Sequence, residues 1–349
     1  MSAPVTQDIL EPGYTVTGIR QDVGDGRPVV ITGTYMSIDK PQPLLYRGPL
    51  VPTDPAGYCY LSPHFHGQPA VNSSVFYGPN TPLYDPALGA GNVRAVGSCK
   101  FVDGGGHDHG MMYEGDYDGR GSYTLIDVPE DVAGGAVGNT LAHSTMGDLV
   151  VGNYDLLGTA GSGNGFIYSI SKRSFTVLNI SKYATIYGVW QNGDNSNAYT
   201  LAGGYDGEKG INQGFLLDYD ASTGQLGRLA SYSYNNAPGI ITHFEGIARL
   251  TDGSYTLAAQ WKKKPDDPGG AAFAQVARDA DGHFPPKASW IDIVAAGPCT
   301  ANSVLGYDVI GIYATGAGSQ SYVASALRPE TAAQRISRMV PRDAGRRTG

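Results

Sequence analysis

The stretch Thr200-Leu201-Ala202-Gly203-Gly204-Tyr205 sets a glycine between short aliphatic residues and an aromatic residue, and the pattern recurs along the chain. Clear copies lie at 30–35, 149–154 and 309–313, and degenerate copies, which match the pattern only in part, lie at 95–99 and 257–261. The anchor positions 33, 97, 152, 203, 259 and 311 are 51 to 64 residues apart. Six copies at this period predict a repeat fold in which each unit packs on its neighbours, rather than two unrelated domains.

Each copy contains three further strand-like pieces in a fixed order. A short strand with a glycine precedes the anchor (14–20, 184–190, 242–248), an apolar strand follows it (110–113, 165–168, 214–217), and a fourth strand ends the copy (123–127, 175–179, 289–293). Four short strands in roughly 50 residues, separated by Gly, Asn and Asp turns, are typical of one β-propeller blade. We therefore predict an all-β fold, a β-propeller of six four-stranded blades, with five blades as the alternative.

The last copy has no clear fourth strand, and the start of the chain offers one. Residues 5–10 read Val-Thr-Gln-Asp-Ile-Leu and are followed by a Glu-Pro-Gly turn. We predict that this strand pairs beside residues 320–326 and closes the ring, because closure removes two exposed sheet edges. Residues 1–327 then form a single propeller domain. Residues 328–349, with six Arg and two acidic residues, form a basic C-terminal tail.

The order of strand motifs also resembles a known repeat family. Gly-Phe-Ile-Tyr at 165–168, Phe-Thr-Val-Leu at 175–178, Gly-Val-Trp at 188–190 and the hydrophobic-Gly-x-Tyr anchor resemble HAF-type extracellular repeats, best over residues 110–260. This resemblance implies propeller blades and no particular activity. The architecture is similar as well to that of hetero-Diels–Alderases of fungal tropolone–sesquiterpene pathways, with no motif matched residue by residue. That likeness implies a cyclase of secondary-metabolite biosynthesis.

Composition excludes several classes of protein. With 24 Lys and Arg against 32 Asp and Glu, the net charge of −8 disfavours sequence-independent binding of nucleic acid. No apolar run approaches the ~18 residues of a membrane helix, so no membrane association is expected. Three cysteines, Cys59, Cys99 and Cys299, are too few for a disulfide framework. Residues 1–7 lack a signal-peptide pattern, which favours a cytoplasmic protein; secretion after removal of a signal, and the oligomeric state, stay open.

The predicted inner strands of copies three to five carry the candidate catalytic residues His143, His243 and Glu245. Imidazole titrates near neutral pH, so either histidine can exchange a proton with a ligand. Glu245 is placed to hold such an imidazole in one tautomer. For all three residues, a structural role in the core is the alternative.

Four further residues are the candidate ligand contacts. Tyr187 and Trp190 flank Gly188 and offer flat walls, with core packing as the alternative. Arg20 and Arg249 are the candidate partners of Glu245, because a carboxylate in a narrow channel is costly to bury unpaired.

Six of the seven histidines are predicted to lie on one face of the ring, which suggests a polar pocket at one channel mouth. They are His64, His66, His107, His109, His143 and His243, with His283 on the opposite face. The two His-x-His pairs have metal-like spacing, but no third ligand is fixed by the sequence. We expect neither a metal nor a cofactor.

Three functions remain, since the chain has no nucleophile elbow, P-loop, dinucleotide fingerprint or His-Glu-x-x-His motif. The first is a cofactor-free enzyme that binds an apolar small molecule at the channel mouth. A cyclase or hetero-Diels–Alderase suits such a site, because orientation alone removes much of the barrier. The second is a lectin-like or protein-binding propeller. The third is a glycan hydrolase or lyase that draws a carboxylate pair from Asp39, Asp155, Asp206 and Asp218.

Overall fold

The computed structural model describes residues 4, 6–22, 28–36, 40–159, 163–207, 211–316 and 318–326. The predicted basic tail and Asp39 lie outside these ranges. The described chain is all-β, and no helix in it is long and apolar enough to span a bilayer.

The strands are short and follow one another at turn-rich connections. In chain order they are β1 (Thr6–Asp8), β2 (Tyr14–Gln21), β3 (Pro28–Met36), β4 (Pro41–Pro49), β5 (Tyr58–Tyr60), β6 (Val71–Asn80), β7 (Asn92–Phe101), β8 (His109–Asp116), β9 (Gly121–Leu125), β10 (Val137–Met146), β11 (Leu149–Leu156), β12 (Asn164–Ser169), β13 (Ser174–Val177), β14 (Ala184–Gln191), β15 (Ala198–Asp206), β16 (Asn212–Asp220), β17 (Gln225–Leu226), β18 (Ala230–Tyr232), β19 (Ile241–Arg249), β20 (Tyr255–Lys262), β21 (Gly270–Val276), β22 (Ser289–Ile293), β23 (Ser303–Leu305), β24 (Asp308–Thr315) and β25 (Gly318–Ser325). Helical segments are limited to α1 (Glu130–Ala133) and 3-10 turns at Pro55–Gly57, Pro86–Leu88 and Tyr234–Asn236 within the described ranges.

The strands form antiparallel groups that match the predicted repeat copies. Three sheets have four consecutive strands each, in the orders β2-β3-β4-β5, β6-β7-β8-β9 and β19-β20-β21-β22. Strands β10–β13 and β14–β18 form two more groups, which a single parallel bridge between Asn164 and Ala184 joins into one nine-stranded sheet. The last sheet has the order β1-β25-β24-β23.

The N-terminal strand pairs where the sequence predicts. Thr6 lies opposite Ala324 and Asp8 opposite Tyr322, in an antiparallel ladder between β1 and β25. The amide of Ile9 extends this pairing with a hydrogen bond of 3.0 Å to the carbonyl of Ser321. The prediction that the first strand completes the last sheet is confirmed.

The first strands of the groups also contact one another in order. Strand β2 contacts β6, β6 contacts β10, β10 contacts β14, β14 contacts β19, β19 contacts β23, and β23 contacts β2. Side-chain hydrogen bonds link the last group to the first: the Asn302 side-chain amide donates to the Val16 carbonyl at 2.6 Å, the Val16 amide donates to Ser321 Oγ at 3.2 Å, and that hydroxyl donates to the Tyr14 carbonyl at 2.8 Å. The β2, β6, β10, β14, β19 and β23 strands are called the inner strands below.

The hydrophobic core is divided among the interfaces between successive groups. In the described chain it forms six clusters, and each draws mainly on two neighbouring groups of strands. One cluster joins the last sheet to the first and contains Ile9, Val16 and Ile310, all at most 2% exposed. Each sheet therefore buries both faces only by packing between two neighbours.

The repeated anchor glycine has a steric reason. A Cβ atom at Gly203 would lie 1.9 Å from the carbonyl oxygen of Thr185 on the inner strand. The same conflict, at 1.9 to 2.1 Å from a backbone carbonyl, holds for the other anchors: the carbonyl lies on an inner strand for Gly33, Gly97 and Gly152, and on Thr300, just before β23, for Gly311. Glycine at this position lets the inner strand lie close against its partner just before a break in register.

Candidate functional site

A β-bulge interrupts five of the inner strands at the same place. The pairing with the next strand slips by one residue at Thr17, Tyr77, His143, Tyr187 and Glu245. A bulge adds one residue to one strand and re-aims its side chain, and bulges are frequent next to functional sites. Asn302, immediately before β23, holds the matching position on the sixth inner strand, because Thr300, two residues earlier, faces the anchor Gly311.

These six residues line one cavity between the inner strands. Its volume is about 200 Å³, and Arg20 contributes to the same wall. This is space for roughly six or seven waters at ~30 Å³ each, which suits a small ligand. Each of the six positions carries a group that can form hydrogen bonds, so a ligand in this cavity would meet polar side chains as well as apolar surface.

His143 sits in the centre of an aromatic group on the cavity wall. Its ring stacks on Tyr187 at 3.7 Å between centroids and lies 4.7 Å from the ring of Tyr77. Its Nε2 is 2.6 Å from Oδ1 of Asn153. A carboxamide oxygen only accepts hydrogen bonds, so with the amide in this orientation Nε2 carries the proton and Nδ1 is an acceptor.

Burial keeps these groups uncharged. It lowers the pKa of His143 to about 3, an effect that the nearby His243 reinforces and the Asn153 hydrogen bond opposes. Burial also raises the pKa of Tyr77 and of Tyr187, so both remain neutral phenols. His143 can therefore accept or donate a hydrogen bond at neutral pH but does not supply a positive charge.

The low pKa of His143 predicts a loss of stability in acid. Between about pH 6.5 and pH 3 the unfolded chain binds a proton at this histidine that the folded chain does not, so the free energy of unfolding falls as the pH falls. A proton that only the unfolded chain binds lowers the free energy of unfolding by ~1.4 kcal/mol for each pH unit. Because His143 keeps some surface toward the cavity, we expect a total decrease of about 2 kcal/mol between pH 6.5 and 4.5. Urea unfolding at both pH values checks this.

The matched control for that measurement is His143→Gln, which keeps a hydrogen-bonding side chain without the titration. Its stability should change less than that of the wild type over the same interval. Equal pH slopes for the two proteins would show that His143 is not the group responsible.

Glu245 faces the cavity, and His243 stands beside it. Oε1 of Glu245 is 2.9 Å from Nδ1 of His243, close enough for an ion pair although the angle is not that of a hydrogen bond. Nε2 of His243 is 2.7 Å from Oγ1 of Thr185, and the edge of its ring meets Tyr187 at 4.5 Å. His243 is not part of the cavity wall. The structure thus brings Glu245, His143 and Tyr187 to the cavity and places His243 beside Glu245, outside the cavity wall.

The candidate partners of Glu245 are different from those predicted. Arg249 lies exposed at the end of β19, where it borders a separate surface pocket beside Tyr255 and Arg278. Arg20 lines the central cavity, but no ion pair joins it to Glu245. The partner is His243, two residues before Glu245 on the same strand.

Trp190 does not reach the cavity wall. It is half-buried and packs against three of the core clusters, and its ring meets the edge of Tyr84 at 5.6 Å. Of the two readings made from the sequence, core packing is the one that its contacts support.

The remaining histidines and carboxylates lie elsewhere. His64 meets the edge of Tyr123, and Nδ1 of His109 is 2.8 Å from Asp127. No group of three or more His, Cys, Asp or Glu with metal-site geometry occurs in the described ranges. Asp218 pairs with Arg278 at 2.6 Å. Among the described carboxylates, Glu245 is the one that lines the cavity.

Sequence reasoning missed Thr17, Tyr77 and Asn302. All three directly precede a small residue of an inner strand: Gly18, Gly78 and Ser303. Small residues are needed there because the neighbouring inner strand lies close; a Cβ on Gly78 would come within 2.6 Å of the His143 carbonyl. Aligning the six copies on this small residue, and taking the residue before it, would have identified all six positions that line the cavity.

Comparison with known proteins gives the fold and no family. No family model matches the chain, and no curated protein matches it in sequence. Among solved structures, a luciferin-regenerating enzyme is 12% identical, with 93% of this chain and 96% of that chain covered and a TM-score of 0.50. YCF48 from Cyanidioschyzon merolae is 10% identical (93% and 86% covered, TM-score 0.42), and the six-bladed β-propeller lectin of Aleuria aurantia is 10% identical (91% and 93% covered, TM-score 0.42). The likeness to the luciferin-regenerating enzyme covers nearly all of both chains and shows the fold alone.

Proposed function

We propose that the chain is a six-bladed β-propeller, closed by its N-terminal strand, and that its central cavity is the active site of an enzyme acting on a small molecule. The ring of contacts among the six inner strands and the six core clusters between successive groups support the blade count. The likeness of residues 110–260 to HAF-type repeats belongs to the same proposal.

The observation that carries the functional proposal is the asymmetry of the cavity wall. Six equivalent positions converge on one space, yet they carry one Thr, two Tyr, one His, one Glu and one Asn. A propeller that binds a glycan once per blade would repeat the same contacts in each copy. Different groups around one cavity instead favour a single ligand held in one orientation.

The chemistry that these groups support is proton transfer with hydrogen-bond polarisation. Glu245 is the candidate acid–base group, and His243 positions its carboxylate. Neutral phenols of Tyr77 and Tyr187 can donate to an oxygen that gains charge during the reaction, and Nδ1 of His143 can accept from a hydroxyl. A cyclisation, the reaction that the sequence favours, fits such a wall because the ligand is both oriented and polarised.

A glycan hydrolase fits the cavity less well. Both standard mechanisms need two carboxyl groups, about 5 or about 6.5–9.5 Å apart, and one described carboxylate lines the wall. The lectin-like alternative remains the competing proposal and differs in having ligand binding without turnover.

The test uses the variant Glu245→Gln, which keeps the shape of the side chain. Small polar compounds that raise the melting temperature of the wild type are incubated with the protein, and products are followed by mass spectrometry. We expect the variant to bind the same compounds within a few-fold and to lose about 10²- to 10⁴-fold in turnover. Glu130→Gln, an exposed change on α1, is the control.

Two results would contradict the proposal. Wild-type turnover by Glu245→Gln would remove Glu245 from the mechanism. Compounds that bind in the cavity and are never converted by the wild type would make the protein a binding propeller.

A further inference from the structure

Arg20 is a buried cation on the cavity wall. Its exposed fraction is 4%, and it lies three residues beyond the bulge of β2. Nη1 donates to the adjacent Ile19 carbonyl at 3.1 Å, and Nη2 reaches the Val189 carbonyl on β14 at a long 3.5 Å. Nε is sealed from solvent and has no hydrogen-bond partner. The five N–H donors of this guanidinium are thus only partly used.

None of the nearby groups supplies a negative charge to Arg20. Among the described residues no carboxylate forms an ion pair with it. Asp22, two residues away, is 2.7 Å from Arg47 instead. Tyr84 stands close by, but burial raises the pKa of its phenol, so it is neutral. The ring of Trp190, 5.8 Å from Cζ, offers only a weak cation–π contact.

A buried guanidinium without an anionic partner is unfavourable. Removing a charge from water is costly, and buried charges are ordinarily paired or neutralised by a ligand. The position is also specific to one blade, because the equivalent residues on the next inner strands are Asn80, Met146 and Trp190. The inner strands therefore place a single positive charge at one side of the cavity.

We propose that the ligand of the central cavity carries a carboxylate that pairs with Arg20; the inference rests on the proposed function for the location of the site. A guanidinium and a carboxylate form strong charge-assisted hydrogen bonds with matching planar geometry. A phosphate fits less well, since its second negative charge would share a small cavity with Glu245 and face one guanidinium. The substrate class is a small monocarboxylate whose other end reaches the acid–base group Glu245.

The experiment compares acids with their uncharged amides. Acetate, lactate and benzoate, each paired with acetamide, lactamide or benzamide, are titrated into the wild type by calorimetry, with inorganic phosphate as a further arm. We expect at least one acid to bind at least about tenfold more tightly than its amide. Arg20→Gln should lose at least about tenfold in affinity for that acid, and Arg20→Lys, which keeps the charge, should lose less.

The control is Arg249→Gln, which removes an arginine from another inner strand outside the cavity and should leave the affinity unchanged. Circular dichroism melts report whether each variant folds. The ratio of the affinities for an acid and its amide is measured on the wild type. It therefore tests the carboxylate proposal even if Arg20→Gln fails to fold.

The outcomes separate this inference from the proposed function. Any one of four results would overturn the carboxylate assignment. These are equal binding of acids and amides, no binding of any acid, tighter binding of phosphate than of the acids, and wild-type affinity in a folded Arg20→Gln. Glu245→Gln removes a negative charge from the cavity and should keep or strengthen acid binding. Loss of turnover in that variant with no preference for acids would uphold the proposed function and refute this inference alone.

Discussion

Deleting residues 1–10 is expected to lower the free energy of unfolding by about 5 kcal/mol or more. The deletion removes the β1 ladder and two core side chains, Ile9 at 2% and Leu10 at 7% exposure, each worth ~1.5–3 kcal/mol of burial. It also removes two of the three carbonyls to which the buried Gln320 amide donates, those of Ile9 and Leu10, and leaves only that of Ser321. Strand β25 would become an exposed edge.

Urea and thermal unfolding of the truncated chain check this expectation. A shorter deletion of residues 1–3, which precede β1, is the control and should change stability little. Ile9→Ala alone should cost about 2–4 kcal/mol through the cavity it leaves. An unchanged melting temperature after the ten-residue deletion would show that the stability of the fold does not depend on this strand.

Gly203→Ala is expected to cost about 3 kcal/mol although it adds one methyl group. The new Cβ would lie 1.9 Å from the Thr185 carbonyl and 3.1 Å from the Cα of Ile186, and both neighbours are backbone. No side-chain rotation relieves such a contact, so the pairing of β14 with β15 must shift. The shift would occur directly before the bulge that presents Tyr187 to the cavity.

Ala259→Gly provides the matched control, because Ala259 occupies the anchor position of the fifth copy, opposite Phe244. It removes a methyl group at the equivalent point and should cost ~1 kcal/mol or less. Similar small effects of both substitutions would mean that β14 adjusts freely and that the anchor glycine has no steric role.

The order of the strands could be predicted from the sequence, because close contact with the neighbouring strand requires a glycine at each of these anchor positions. Each of these glycines faces a backbone carbonyl at the equivalent position of its own copy, so their spacing shows the repeat directly: they are Gly33, Gly97, Gly152, Gly203 and Gly311. The pairing of β1 with β25 was predictable for a similar reason, since one copy lacked a strand and residues 5–10 were left over.

The site was less predictable, because a bulge breaks the alternation on which strand arguments rest. In a regular strand Glu245 and Arg249 would share a face. The extra residue at Glu245 changes the face of the sheet on which the following side chains lie. Arg249 lies at the exposed end of the strand. His243, before the bulge, kept its predicted place beside Glu245. The isolation of Arg20 depends on contacts across the ring with β14, which no local pattern records.

The pairing of Thr6 with Ala324 also sets an order of events during synthesis. Strand β1 leaves the ribosome before its partner β25, which is made more than 300 residues later. At ~5–20 residues per second this interval lasts about 15 to 60 s. The sheets of the middle of the chain can stack while they emerge, whereas the segment that forms β1 must remain unpaired and soluble until β25 has been made. The polar Thr-Gln-Asp sequence of β1 suits a strand that spends that time in water.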